Sequence, residues 1–240
     1  MSRIYLVRHG QAGTRNAYDA LSDLGREQAR LLGAYFAAQP IEFTAAFAGT
    51  LARQEQTALQ VKESYEASGR PFPPVVPDCA WNEFDLDGVY GALAPQMCAE
   101  DEAFREEYQE LERQALVKAG QPEAEVHRRW MPCDVRLVEA WVAGRFPYEG
   151  ESWPAFRERV LACGSRLASF GRNENVLVFT SAVPIGIWTA QAVEAPDSQA
   201  WPLAGALLNT ACTVVPLGHT IRLHCFNVVA HLRRELQTYR

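Results

Sequence analysis

Three consecutive residues near the start of the chain, Arg8-His9-Gly10, could do chemistry together. An imidazole is a nucleophile, a guanidinium forks onto phosphate oxygens, and a glycine lets the backbone come close to a ligand. The chemistry they suggest is phosphoryl transfer onto His9. Ahead of them, Ile4-Tyr5-Leu6-Val7 is a run of apolar, largely β-forming residues that predicts a short strand buried on both faces. Such a strand delivers its last side chains to the carboxyl edge of a parallel sheet, where open α/β folds bind ligands.

The rest of the chain supplies the elements to position them. Ser22 is a predicted N-cap, followed by a helical stripe of Leu24, Gln28, Leu31, Leu32, Tyr35 and Phe36 that Pro40 ends. Residues 43–48 read as a second buried strand, 49–68 as a second helix, and 175–180 as a third central strand. Between them, residues 99–145 contain two predicted helices broken near Gly120-Gln121-Pro122, and a further helix spans 154–170 behind Ser152. Cys212–Val215 and Thr220–Phe226 form a predicted hairpin across Leu217-Gly218-His219, and 227–240 closes as a short helix with a frayed tail. The strand-helix alternation gives an α/β class: a three-layer, doubly wound, mostly parallel sheet with helices on both faces.

Directly after a buried amino-terminal strand, Arg8-His9-Gly10 resembles the signature of the histidine phosphatase superfamily, also called the phosphoglycerate mutase-like family. The resemblance continues through residues 49–58, where the family carries a phosphate-binding arginine in the first turn of a helix and this chain has Arg53. It continues at Glu83, which aligns with the family's acid, and at Gly150-Glu151-Ser152. It implies a single domain over residues 1–240, with a helical insertion at about 99–145 that covers the site and holds substrate specificity. The implied activity is that of a phosphomonoesterase forming a phosphohistidine on His9, with no cofactor and no metal, acting on a small phosphorylated substrate. Glu83 would protonate the leaving oxygen, a task that burial beside Trp81 and Phe84 would favour, with Asp85 and Asp87 as alternatives.

One position departs from the pattern. The family places a second histidine straight after the third strand, and this chain has Ser181 there, in Thr180-Ser181-Ala182-Val183. A serine still donates a hydrogen bond, and the N–H groups of a helix starting at Ala182 and Val183 would face an anion. Arg8, Arg53, Ser181 and Ala182 are therefore the expected phosphate-binding set. The expected outcome is a slow phosphatase; the alternative is a catalytically weak phosphate-binding or regulatory protein on the same fold. Of His127, His219, His224 and His231, all read as structural, His231 is the best placed to replace the missing imidazole.

Other chemistries fit less well. Phe84-Asp85-Leu86-Asp87-Gly88 looks like the nucleophile motif of haloacid dehalogenase-like phosphatases, but Asn82 and Glu83 stand where that fold needs an apolar strand. None of the six cysteines has an arginine six residues later, which excludes a protein tyrosine phosphatase loop. The loop after His9 lacks the Asn-rich, Gly-Trp-containing segment of the family's mutases. A net charge of -6, with only Lys62 and Lys118 as lysines, argues against a nucleic-acid partner. Without a long apolar run no membrane partner is expected, and scattered cysteines without a CxxC pair suit the cytoplasm. An oligomer is left open.

Overall fold

The computed structural model describes residues 2–167, 170–171, 174–216 and 222–239. A sheet of order β3-β2-β4-β1-β5-β6 is built from β1 (Arg3–Arg8), β2 (Ala45–Ala48), β3 (Val75–Pro77), β4 (Asn175–Thr180), β5 (Cys212–Pro216) and β6 (Cys225–Val228). The runs that read as buried on both faces take the centre: β1 lies parallel to β4, and β4 parallel to β2. β5 and β6 run antiparallel beyond β1. β5 matches the first arm of the predicted hairpin and its antiparallel partner is Cys225–Val228, starting later than the expected Thr220–Phe226, while residues 217–221, with His219, lie outside the described residues.

By Cα proximity the chain forms two compact units. The first holds Met1–Ala12, Asp19–Glu83 and Arg159–Tyr239. On one face of its sheet, Tyr5, Val7, Leu177, Phe179, Ala46, Ala48, Cys212 and Val214 pack with Leu32, Phe36, Val61 and Tyr65 from α1 (Asp23–Ala38) and α2 (Ala52–Glu66). Alternation sends Ile4, Leu6, Val176 and Val178 to the opposite face, all fully buried. Ser22 caps α1 as expected, its side chain accepting from the N–H of Gly25. The buried stripe of α1 is Gly25, Gln28, Ala29, Leu32, Gly33 and Phe36, about one position round from the expected one. The reason is that small residues, not large ones, face α2: a Cβ on Gly33 would run into the carbonyl oxygen of Val61.

The second unit holds Gly13–Tyr18 and Phe84–Glu158. It contains α3 (Leu86–Glu100), α4 (Glu102–Val117), α5 (Glu125–Arg128) and α6 (Pro132–Val142). Phe84 stacks on Trp141 at 4.5 Å between ring centroids, and Phe156 and Trp153 close the same aromatic cluster. Ahead of residue 99, α3 runs from Leu86 with Pro95 inside it. Asp134 is fully buried and receives both Arg15 Nη groups, at 2.9 and 2.7 Å. α7 (Trp153–Leu167) begins in this unit and ends in the first.

α8 (Ala182–Ala192) and α9 (Ala200–Gly205) follow β4. Instead of a closing helix, residues after β6 form only a 3-10 turn at Arg234–Leu236, and the tail is tied down rather than frayed. Gln28 Nε2 donates to Leu236 O at 2.7 Å, and Asn209 N donates to Thr238 O at 2.8 Å. Among the described residues no helix is long and apolar enough to cross a membrane.

The α1–α2 contact gives a test. Gly33→Val should destabilise the protein by about 1–3 kcal/mol, because the two helix backbones must separate to admit the side chain. Denaturant unfolding would measure it, and an unchanged midpoint would show that the helices are not in backbone contact.

Candidate active site

Three adjacent parallel strands, β2, β4 and β1, end side by side, so the residues that follow them are brought together by register alone. Arg8 pairs with Thr180 and Ala48 with Phe179. His9 N donates to Thr180 O at 2.9 Å, and Gly49 N donates to Phe179 O at 3.0 Å. His9, Ser181 and the first turn of α2 therefore share one sheet edge. His9 is only 2% exposed.

The His9 main chain is fully engaged. Its carbonyl accepts from Thr210 N at 3.3 Å and from Asn209 Nδ2 at 3.2 Å, an arrangement that goes with a left-handed Thr210 at φ 55°. Nδ1 lies 2.8 Å from the carbonyl oxygen of Gly10. A carbonyl only accepts, so Nδ1 carries the proton and Nε2 keeps its lone pair. Burial, and after it the charges of Arg53 and Arg8, push the imidazole well below its ordinary pKa, with the Gly10 carbonyl opposing them. His9 is thus a neutral imidazole whose unprotonated nitrogen is Nε2.

Arg8 is buried, its Nη1 donating to Leu207 O and its Nη2 to Tyr239 O at 2.6 Å. Arg53, in the first turn of α2, is 8% exposed and its Nη1 reaches Asp19 Oδ1 at 3.0 Å. Two further residues of α2 join the sheet edge. Gly10 N donates to Thr57 Oγ1 at 3.0 Å, and Thr57 Oγ1 donates to Arg53 O at 2.6 Å, linking the turn after His9 to the turn that carries Arg53. Gln54 Nε2 donates to Ser181 Oγ at 2.8 Å and to Trp81 O at 3.3 Å. Ser181 is fully buried and is the N-cap residue of α8, with Ala182 opening the helix. The N–H of Val183, expected to face a bound anion, instead donates to Glu83 Oε2 at 3.1 Å. The sheet edge thus gathers His9, Arg8, Arg53, Glu83, Ser181 and Ala182 into one unit of the fold.

Gln54, Thr57, Asn209 and Thr210 were not expected at the site. For the first two a signal exists: extending the buried stripe Ala58, Val61 and Tyr65 back along α2 lands on Gln54 and Thr57, and a polar residue in an apolar register needs a partner.

The other candidates fall elsewhere. Asp85 is the N-cap of α3, accepting from Gly88 N at 3.0 Å, so the Asp-Leu-Asp-Gly run starts a helix; both Asp85 and Asp87 are exposed. His127 is not on a solvated helix face but fully buried, its Nδ1 accepting from Arg15 N at 3.3 Å and its Nε2 donating to Lys118 O at 2.9 Å. His224 is exposed. His231 Nε2 lies 2.9 Å from Thr210 Oγ1 with its ring beside Tyr35, and burial pushes its pKa down to about 4.

With this geometry in hand, the chain is similar to known proteins as follows. The model of the histidine phosphatase superfamily (branch 1) matches residues 4–140 and 134–227. The mitochondrial serine/threonine-protein phosphatase Pgam5 of Caenorhabditis elegans is 25% identical over 161 residues, or 62% of this chain and 52% of that protein. The chain spans about half the length of the curated relatives it matches. Among solved structures, YhfR of Bacillus stearothermophilus superposes with a TM-score of 0.64 at 18% identity, covering 97% of this chain and 100% of that one. A mycobacterial glucosyl-3-phosphoglycerate phosphatase, Rv2419c, does so with a TM-score of 0.58 at 19% identity, covering 94% and 98%. At such identities the likeness is one of fold.

The buried histidines set a pH dependence. Below about 6.5 the unfolded chain takes up protons that folded His9 and His231 refuse, so stability is present above that value and lost as pH falls toward 4. Denaturant midpoints should therefore fall between pH 6.5 and 4, and His231→Gln should make the fall shallower. An equally steep fall in the variant would mean that His231 titrates normally.

Proposed function

The chain belongs to the histidine phosphatase superfamily, branch 1, and on that premise we propose that it is a phosphomonoesterase working through a phosphohistidine on His9. The observation that carries this reading is the Nδ1–H bond to Gly10 O at 2.8 Å, which makes Nε2 the unprotonated nitrogen of a neutral imidazole beside two guanidinium groups. In the first step Nε2 attacks phosphorus and the ester oxygen departs, taking a proton from the Glu83 carboxyl. In the second, water attacks the phosphohistidine while Glu83 takes its proton, the N–P bond breaks, and phosphate leaves.

The positive charges of Arg8 and Arg53 stabilise the anionic phosphoryl group in both steps. The Asp19 partner of Arg53 is 61% exposed, and an exposed ion pair contributes only about 0–1 kcal/mol. A phosphate dianion can therefore compete for Arg53. Ser181 and the N–H of Ala182 add neutral donors where the family pattern has a second histidine. The substrate class is a small phosphomonoester, and the six free cysteines support placement in the cytoplasm.

Turnover of p-nitrophenyl phosphate should persist in chelator and disappear in His9→Ala, together with acid-labile phosphoryl labelling of the protein. A fully active His9→Ala variant would overturn the mechanism. Arg53→Ala should cost on the order of 2–4 kcal/mol in kcat/KM, as expected for loss of a transition-state donor.

Glu83→Gln separates by leaving group. Alkyl phosphates need protonation of the departing oxygen and should lose most of their rate, whereas nitrophenolate leaves unaided. Equal losses on the two substrates would remove Glu83 from the acid role.

A further inference from the structure

Gln54 has no place in the mechanism above, yet it is a fully buried side chain that bridges the first turn of α2 to the N-cap of α8. Its amide orientation is forced. Nε2 lies 3.3 Å from the carbonyl oxygen of Trp81, which can only accept, while Oε1 lies 3.4 Å from the N–H of Leu51, which can only donate. The second Nε2 hydrogen then goes to Ser181 Oγ at 2.8 Å, so this contact has Gln54 as donor and Ser181 as acceptor.

A hydroxyl has one hydrogen and two lone pairs. With a lone pair of Ser181 taken by Gln54, its hydrogen remains to be given, and among the described residues no protein group accepts it. Ser181 is fully buried, and a buried hydroxyl donor wants an acceptor. Its backbone follows Thr180, whose carbonyl holds His9 N, so the hydroxyl stands at the same sheet edge as the imidazole.

We propose that Gln54 is a positioning residue that fixes Ser181 as a hydrogen-bond donor to a phosphoryl oxygen of the substrate. The proposal rests on the phosphatase reading for the identity of that acceptor. A serine on its own could turn its lone pairs toward the phosphoryl group, where they would repel it. With Gln54 donating, that rotamer loses a buried hydrogen bond, and the hydroxyl presents its hydrogen. Ser181 is then a built donor, not merely the remnant of a missing imidazole. Gln54 does not touch the reacting atoms; its effect passes entirely through Ser181.

The test is a double-mutant cycle with Gln54→Met, Ser181→Ala and the pair, read by calorimetric binding of sulfate and by kcat and KM on p-nitrophenyl phosphate. Ser181→Ala should weaken sulfate binding by about 10-fold or more, the range for a hydrogen bond to a charged group. Gln54→Met should weaken it in the parent and have little further effect once Ser181 is alanine. Equal effects of Gln54→Met in both backgrounds would show a purely structural side chain and overturn the proposal. Should Gln54→Met fail to fold, unchanged sulfate affinity in Ser181→Ala overturns it alone. Sulfate binding is independent of turnover, so absence of His9-dependent hydrolysis in the parent would defeat the phosphatase reading while leaving the Gln54–Ser181 coupling measurable.

Discussion

The His9 main chain is tied to two different strands' flanks and its ring to the turn that follows it. Its N–H goes to Thr180 at the end of β4, and its carbonyl to Asn209 and Thr210 ahead of β5. Its ring Nδ1 goes to Gly10, and the N–H of Gly10 goes to Thr57 in α2. The turn itself is pressed against α1, where a Cβ on Gly10 would meet the carbonyl of Gly25 and one on Gly25 would meet the backbone of Gln11. Glycine is required at both places by this approach of two backbones. Order in the ring therefore follows from the packing of α1 and α2 on the sheet, and a loosened helix pair would be felt at Nε2.

The electrostatics follow from the same burial. Two guanidinium groups close to an imidazole disfavour its protonation, and withdrawal from water acts in the same direction. The two arginines are compensated differently. Arg8 is met by the neutral carbonyls of Leu207 and Tyr239, which accept from its Nη1 and Nη2 and leave its charge intact. Arg53 is met by the carboxylate of Asp19. At the N-terminus of α8, Val183 N–H donates to Glu83 Oε2. Along the sheet edge the end of β4, with Ser181 and the start of α8, lies between the end of β1, with Arg8 and His9, and the end of β2, which leads to Arg53.

Much of this was legible in the sequence, for physical reasons. Ile4–Val7 and 176–179 read as central strands because they are unbroken apolar runs, and the capping serine marked the start of α1. What escaped was carried by small or polar residues in apolar registers. The α1 stripe turned toward Gly25, Ala29 and Gly33 because close backbone approach outweighed side-chain size. Gln54 and Thr57 are polar residues in the apolar stripe of α2 where it runs toward its N-terminus. The C-terminal tail looked frayed because its anchors, Gln28, Asn209 and Arg8, come from distant parts of the chain.

The chain passes between its two units at Ala12–Gly13, Tyr18–Asp19, Glu83–Phe84 and Glu158–Arg159. At three of these crossings the residue on the sheet side belongs to the site or holds it. Asp19 pairs with Arg53, and Glu83 takes the N–H of Val183. Arg159 donates to the carbonyls of Cys79, Ala80 and Asn82, the segment that leads into Glu83. The coincidence has a cause: long connections in an α/β fold leave from the carboxyl edge of the sheet, which is also where the functional side chains end. Since closure entropy grows only slowly with connection length, the helical unit can be large without disturbing the strand registers. It must then order its own short segment after His9, and it does so internally, through the buried Arg15–Asp134 pair. Removing either partner would leave an uncompensated buried charge, a penalty of roughly 3–5 kcal/mol, so residues 13–18 owe their order to this pair within the helical unit.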